Sequence, residues 1–370
     1  MKRHMEILIA AIVTSLALCV GEARAQYQQV NLVSDKRGMA RHTDPNLVDP
    51  WGLAFLPDGY FLVANARSGL STAYGPRGEP FRLTVTVPAA PSLPPATAGS
   101  PTGVIANPTA EFTISKNGKS GPALFIFDTL DGTISGWNPD VDPNNAVTAV
   151  DNSSEVPFPA SYTALAFGRN GKGQAVLYAA DSGGGPTTSN NRIDMYDGTF
   201  NYLGSFGDPS APSNMTVFGI QNVNGKLYVT YAAFTPLNGG VIDVFGTDGN
   251  LLQRFAANDP SGPLEEPWAI TVAPGDFGQF SDALLVGNFG DGRINAFNGK
   301  TGRFLGQLAD RHGNPLSSGL GLWALAFRNH HEKDEPASLF FTSGINNEND
   351  GLFGAIIPIS DDEVSPVPRH

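Results

Sequence analysis

A short motif returns six times along the 370 residues, and it limits the possible folds more than any other feature. It consists of a bulky residue or a threonine, then a small residue, then alternating apolar positions. The copies read WGLAF from Trp51, TGVIA from Thr102, TALAF from Thr163, FGIQN from Phe218, WAITV from Trp268 and WALAF from Trp323. They stand roughly 50–60 residues apart, a period that marks an array of equivalent units. A second strand-length run follows each copy: FLVAN ending at Asn65, LFIFD at Asp128, VLYAAD at Asp181, LYVTY at Tyr231, LLVGN at Asn288 and LFFTS at Ser343. A third run appears as GTISGW from Gly132, RIDMY from Arg192, VIDVF from Val241 and RINAF from Arg293, and a fourth as LLQRF from Leu251 and RFLGQL from Arg303. The dipeptides Asp58-Gly59, Asp131-Gly132, Asn224-Gly225, Asp248-Gly249 and Asp291-Gly292 separate such runs. They favour the left-handed backbone of tight hairpins, so the runs read as antiparallel meanders.

Four strands repeated six times predict an all-β chain, a six-bladed β-propeller of four-stranded antiparallel blades spanning 26–360. After Trp323 only three strands remain, the last being GLFGAIIPI from Gly351, while a spare strand, QQVNLV from Gln28, precedes the first motif. The N-terminal strand is therefore expected to join the last blade, closing the ring and removing an exposed edge. Pro88 to Pro101 reads as a loop. Asn107 to Gly121 reads as an extension of the second blade with a hairpin through EFTIS.

The first 25 residues read as a signal peptide. Lys2 and Arg3 form a basic start, Ile7 to Val20 is apolar, and Ala23-Arg24-Ala25 fits signal peptidase. Cleavage after Ala25 is expected, giving an exported chain, periplasmic or extracellular, with no transmembrane anchor. The rival reading is a lipoprotein cut before Cys19, but Leu18 precedes it where such signals want a small residue. Cys19 is the only cysteine, so the mature chain has no disulfide and no thiolate chemistry. The formal charge of −12 disfavours nucleic acid as a partner. Residues 361–370 read as a disordered tail.

The blades resemble NHL/YVTN-type repeats, most closely in LYAADSGGGPTTSNNRIDMYDG from Leu177 to Gly198. The whole mature chain is similar to a family of uncharacterised exported bacterial proteins. The segments that carry this likeness include QVNLVSD from Gln29, DPNLVDPWGLAF from Asp44, DGTISGWNP from Asp131 and LLVGNFGDGRINAF from Leu284. Some relatives end in a PEP-CTERM sorting tail, which the stop at Val367-Pro-Arg-His370 does not match. The family implies a fold and a compartment but no activity.

Several groups are candidates for chemistry. Asp181-Ser182-Gly183-Gly184 looks like a serine-protease nucleophile loop, but no histidine motif accompanies it and the repeat accounts for the string. Propeller lactonases hold a metal with carboxylates and amides at the starts of the inner strands. Those positions here are Trp51, Thr102, Thr163, Phe218, Trp268 and Trp323, which leaves only a displaced site at Asp49, Glu265 or Glu266. Asn65, Asp128, Asp181 and Asn288 end second strands. They are either ligands for a divalent cation such as Ca or, the preferred reading, turn-stabilising side chains. His42, His312, His330 and His331 lack metal-ligand spacing. Trp51, Phe218, Trp268 and Trp323 share one register and form either a ligand-binding crescent at a channel mouth or packing between blades. The functional expectation is an exported module that binds a small molecule, glycan or protein. The alternative is a metal-assisted hydrolase or lyase at a channel mouth.

Overall fold

The computed structural model describes residues 26–55, 59–94, 98–183, 190–233, 239–258, 262–328 and 337–359. The expected signal peptide at 1–25, the expected tail at 361–370, His330 and His331 lie outside them.

Six antiparallel sheets stand around one axis. Blade I comprises Pro50–Phe55, Phe61–Asn65, Leu70–Tyr74 and Pro80–Thr86. Blade II comprises Pro101–Ala106, Phe125–Thr129, Thr133–Trp137 and Val147–Asp151. Between its first two strands it carries the hairpin Thr113–Lys116 and Lys119–Pro122, in the segment expected to extend it. Blades III, IV and V begin at Tyr162–Arg169, Thr216–Val223 and Pro267–Val272 and continue in strand order.

Blade VI joins the two ends of the chain. Leu322–Phe327, Leu339–Gly344 and Asp350–Ile359 supply three strands, and Gln26–Ser34 lies antiparallel on the last, from Gln26 opposite Ile359 to Ser34 opposite Leu352. The closing strand is thus longer than the Gln28–Val33 run read from the sequence, and a two-residue strand, His42–Thr43, adds a fifth member in parallel. Ser34 Oγ donates to the Gly351 carbonyl at 2.7 Å. Tyr27 reaches into blade V, where its hydroxyl donates to the Phe277 carbonyl at 2.9 Å.

The local rules behind these strands are simple. Asn224 and Gly225 both take positive φ, as a two-residue hairpin between Val223 and Lys226 requires. The core fills the spaces between neighbouring blade faces. Leu62 and Ala64 of blade I meet Val104, Phe125 and Phe127 of blade II, while Phe61 and Val63 meet Phe340 and Phe353 of blade VI. The small second residue of the motif is set by ring packing. A Cβ on Gly52 would lie 2.5 Å from the Thr102 carbonyl, and one on Gly103 would lie 2.6 Å from the Leu165 amide. Inner strands therefore approach each other backbone to backbone, and at Gly52 and Gly103 no Cβ fits.

Candidate functional site

One irregularity recurs in every blade. The pairing of each inner strand with its second strand shifts register at the motif's first residue: at Trp51, Thr102, Thr163, Phe218, Trp268 and Trp323. Such a bulge leaves one residue outside the ladder and re-aims its side chain. In three blades the freed amide is caught by the second strand. Gly103 N–H donates to Asp128 Oδ1 at 2.5 Å, Gly219 N–H to Thr230 Oγ1 at 2.8 Å, and Ala324 N–H to Thr342 Oγ1 at 3.0 Å.

The six bulges direct the motif residues at the axis, where the four aromatics meet. Trp323 is the hub. Its ring stacks on Trp51 with centroids 3.4 Å apart, meets Phe218 at 5.5 Å and Trp268 at 5.8 Å, and touches Phe289 at 4.4 Å. Trp268 reaches across to blade III, its indole N–H donating to the Thr163 carbonyl at 3.2 Å, in the space left by a threonine. Trp51, Phe218, Trp268 and Trp323 are between 1% and 6% exposed, so their faces cover one another instead of forming an open crescent. Together they plug the channel at the mouth where the inner strands begin.

Carboxylates lie against this plug. Asp49 accepts from the Trp323 indole N–H at 3.2 Å. Burial, with the Glu348 charge adding to it, pushes the Asp49 carboxyl up to about 7. Glu266 holds the equivalent place before Pro267, and burial, then Glu265, pushes it up to about 7 as well. Both residues have positive φ, 53° and 50°, and their carbonyls accept the amides of Ala66 and Phe289 just beyond the second strands.

The second-strand residues separate into two sets. Asn65, Asp181 and Asn288 face the residue before the bulge, Pro50, Tyr162 and Pro267. In blade II that place belongs to Thr129, opposite Pro101, and Asp128 stands one residue earlier. Side chains alternate along a strand, so Asp128 points to the other sheet face and the expected group of four does not converge. Asn65 Nδ2 donates to the Leu70 carbonyl and Thr72 Oγ1, and Asn288 Nδ2 to Asp291 in the following turn and back to the Pro263 carbonyl before the blade. Asp128 is fully buried, and burial pushes its carboxyl up to about 7 against the bonds from Thr102 and Gly103.

Asp181 joins a different cluster. Its carboxylate and those of Glu155 and Asp194 lie within 4.8 Å of one another. Arg192 stands among them, 3.0 Å from Glu155, 3.4 Å from Asp181 and 2.7 Å from Asp194, and the guanidinium supplies the positive charge there. Ser182 donates its hydroxyl to the Ser161 carbonyl at 3.1 Å, a structural contact within the turn.

The opposite mouth is open. Where the inner strands end, they enclose a well of about 1100 Å3, floored by Trp268. Phe55, Ile105, Phe167, Val272, Leu325 and Phe327 give it apolar walls, and Asn107, Gln221, Asn222 and Asn224 place amides in the lining. Arg328 is the lone charged residue among the described residues lining it. The well was missed in the sequence, although the motif's fifth position was a signal for it: Phe55, Ala106, Phe167, Asn222, Val272 and Phe327 all line the well.

A six-bladed propeller whose channel is blind at one end is the class that fold and site define. No model of a described protein family matches the chain. It is 31% identical over 343 residues to Uncharacterized protein R648 of Acanthamoeba polyphaga mimivirus, with 88% of this chain and 78% of that one covered. The chain therefore belongs to the family of that protein. The family read from the sequence as bacterial is corrected by this match, since it includes a viral member. Among solved structures, aldose sugar dehydrogenase of Streptomyces coelicolor in its PQQ-bound form superposes with a TM-score of 0.54 at 13% identity, covering 90% of this chain and 99% of that one. Virginiamycin B lyase of Staphylococcus aureus gives 0.50 at 13% identity, with the same coverage. At such identities the likeness is one of fold. Among the described residues, no helix is long and apolar enough to cross a membrane.

Proposed function

We propose that the protein is a binding module that takes a largely apolar small molecule into the open well. The observation that carries this reading is the lining: about 1100 Å3 walled by apolar side chains and blind at Trp268. Wells of this size and character bury most of a small ligand's surface. Hydrolysis or elimination needs an acid or base within reach of the reacting atoms. Among the described residues the lining holds no Asp, Glu, His, Lys or Cys, which favours binding over a hydrolase or lyase at this mouth. The reading keeps Trp268 as a ligand-contacting residue and gives Trp51, Phe218 and Trp323 the task of supporting it from behind. The experiment is titration with the neutral fluorophore N-phenyl-1-naphthylamine. Saturable one-to-one binding by the parent is expected, together with its loss in Ala106→Trp and Ala326→Trp, which fill the well. No binding, or equal binding by the filled variants, would refute the reading.

We also propose export with cleavage after Ala25, and kinship with NHL/YVTN-type repeats. Export is supported by the basic start, the apolar run and Ala23-Arg24-Ala25. The intact mass of exported material should correspond to a chain beginning at Gln26, and a lipidated chain beginning at Cys19 would contradict this.

A further inference from the structure

Two arginines on the outer strands of blades III and IV each carry more than one carboxylate partner. Arg192 has Glu155, Asp181 and Asp194, and Arg254 has Asp208 and Asp243. Arg328 differs. It is half-buried at the end of the last inner strand, on the lip of the well, and has no ion-pair or hydrogen-bond partner among the described residues. The backbone makes room for it: a Cβ on Gly59 would lie 2.8 Å from Arg328 Nη2, so the guanidinium occupies space that a side chain would fill. Gln221 and Asn224 line the same well and likewise leave their side-chain amides without partners among the described residues.

A guanidinium beside apolar walls loses part of its hydration, and a bidentate anion is the partner that best restores it. The net charge of −12 gives the molecule no general attraction for anions, so the preference must arise locally at this lip. We infer that the ligand of the well carries one anionic group on an apolar body, and that Arg328 binds that group while the body enters toward Trp268. This rests on the reading of the well as a binding site and adds the class of ligand to it.

Two fluorophores separate the inference from the reading beneath it. 1-Anilinonaphthalene-8-sulfonate has the body of N-phenyl-1-naphthylamine plus a sulfonate. The parent should bind the sulfonate dye about tenfold more tightly, as expected of a partly solvated charge-assisted contact. Arg328→Gln should bring the two affinities together, chiefly by weakening the sulfonate dye, with melting confirming that the variant is folded. Ala106→Trp should lose both dyes. Binding of the neutral dye without a sulfonate preference overturns the inference alone, as does a preference that survives in Arg328→Gln or in Ala106→Trp. Failure of the neutral dye to bind overturns the binding reading, and the inference falls with it.

Discussion

The two mouths of the channel are made from opposite ends of the same six strands, and they are built on different principles. At the starting end, a bulge in each blade turns the motif's first residue toward the axis, and four of the six side chains are aromatic. At the finishing end the ladders are regular: Phe55 pairs with Phe61, Phe167 with Leu177 and Phe327 with Leu339. Side chains there line the well without closing it. In this protein one inserted residue per inner strand, repeated in phase, separates the plugged mouth from the open one.

The contrast is most directly broken at its hub. Trp323→Ala should cost about 3–5 kcal/mol in chemical denaturation, since the ring is 1% exposed and touches four other aromatics. A cost below 1 kcal/mol would mean that the plug does not hold the ring together.

A smaller effect is expected from glycines at the two ends. A Cβ on Gly219 would collide with the Trp268 carbonyl of the next blade, so Gly219→Ala should cost about 2–3 kcal/mol by overpacking. Gly225 at the open mouth has φ of 79° with nothing near its absent Cβ, so Gly225→Ala should cost only about 1 kcal/mol of backbone strain. Equal losses in thermal melts would erase the difference claimed between the mouths.

Acidity sharpens the comparison further. Burial lifts the Asp49 carboxyl from its ordinary 3.8, and that of Glu266 from 4.5, to about 7 at the plugged mouth. Between those limits the unfolded chain has released protons that the folded protein keeps. These groups therefore contribute stability fully below about pH 4, and the contribution is lost as pH rises toward 7. Asp49→Asn should flatten the fall in melting temperature across that window, and a slope as steep as the parent's would show that Asp49 does not titrate there. The smallest effect belongs to the lip. Val272→Ala, at a residue 38% exposed, should change stability by less than about 0.5 kcal/mol while weakening the neutral dye.

Much of the fold was legible because its signals are local. Asp-Gly and Asn-Gly turns, strand-length apolar runs and the count of strands after Trp323 sufficed for six blades and a closing N-terminal strand. The site was less legible because it depends on register. Nothing in LFIFD distinguishes the facing of Asp128 from that of Asp181 in VLYAAD. The bulge opposite each decides that, and it is a relation between two strands instead of a property of either. The aromatic register was visible in the sequence, but its burial was not, since WAITV reads the same whether its tryptophan meets solvent or the ring of Trp323. Arg328 follows the last copy of the motif, and its lack of a carboxylate partner among the described residues is a fact of three dimensions.

The clasp in blade VI sets the order in which the molecule can be finished. Ser34 bonds to Gly351, a partner 317 residues away, and the strand Gln26–Ser34 has its ladder partner in the last strand of the propeller. A ribosome delivers the first of these strands long before the second exists. Until the final strand arrives, the earliest part of the propeller has an open hydrogen-bonding edge and the sixth blade is missing. Contacts so distant in sequence also slow the search for the native arrangement. The newly made chain therefore passes through a stage in which five blades can be complete while the ring is open, and its first strand needs shelter from other edges for as long as that stage lasts.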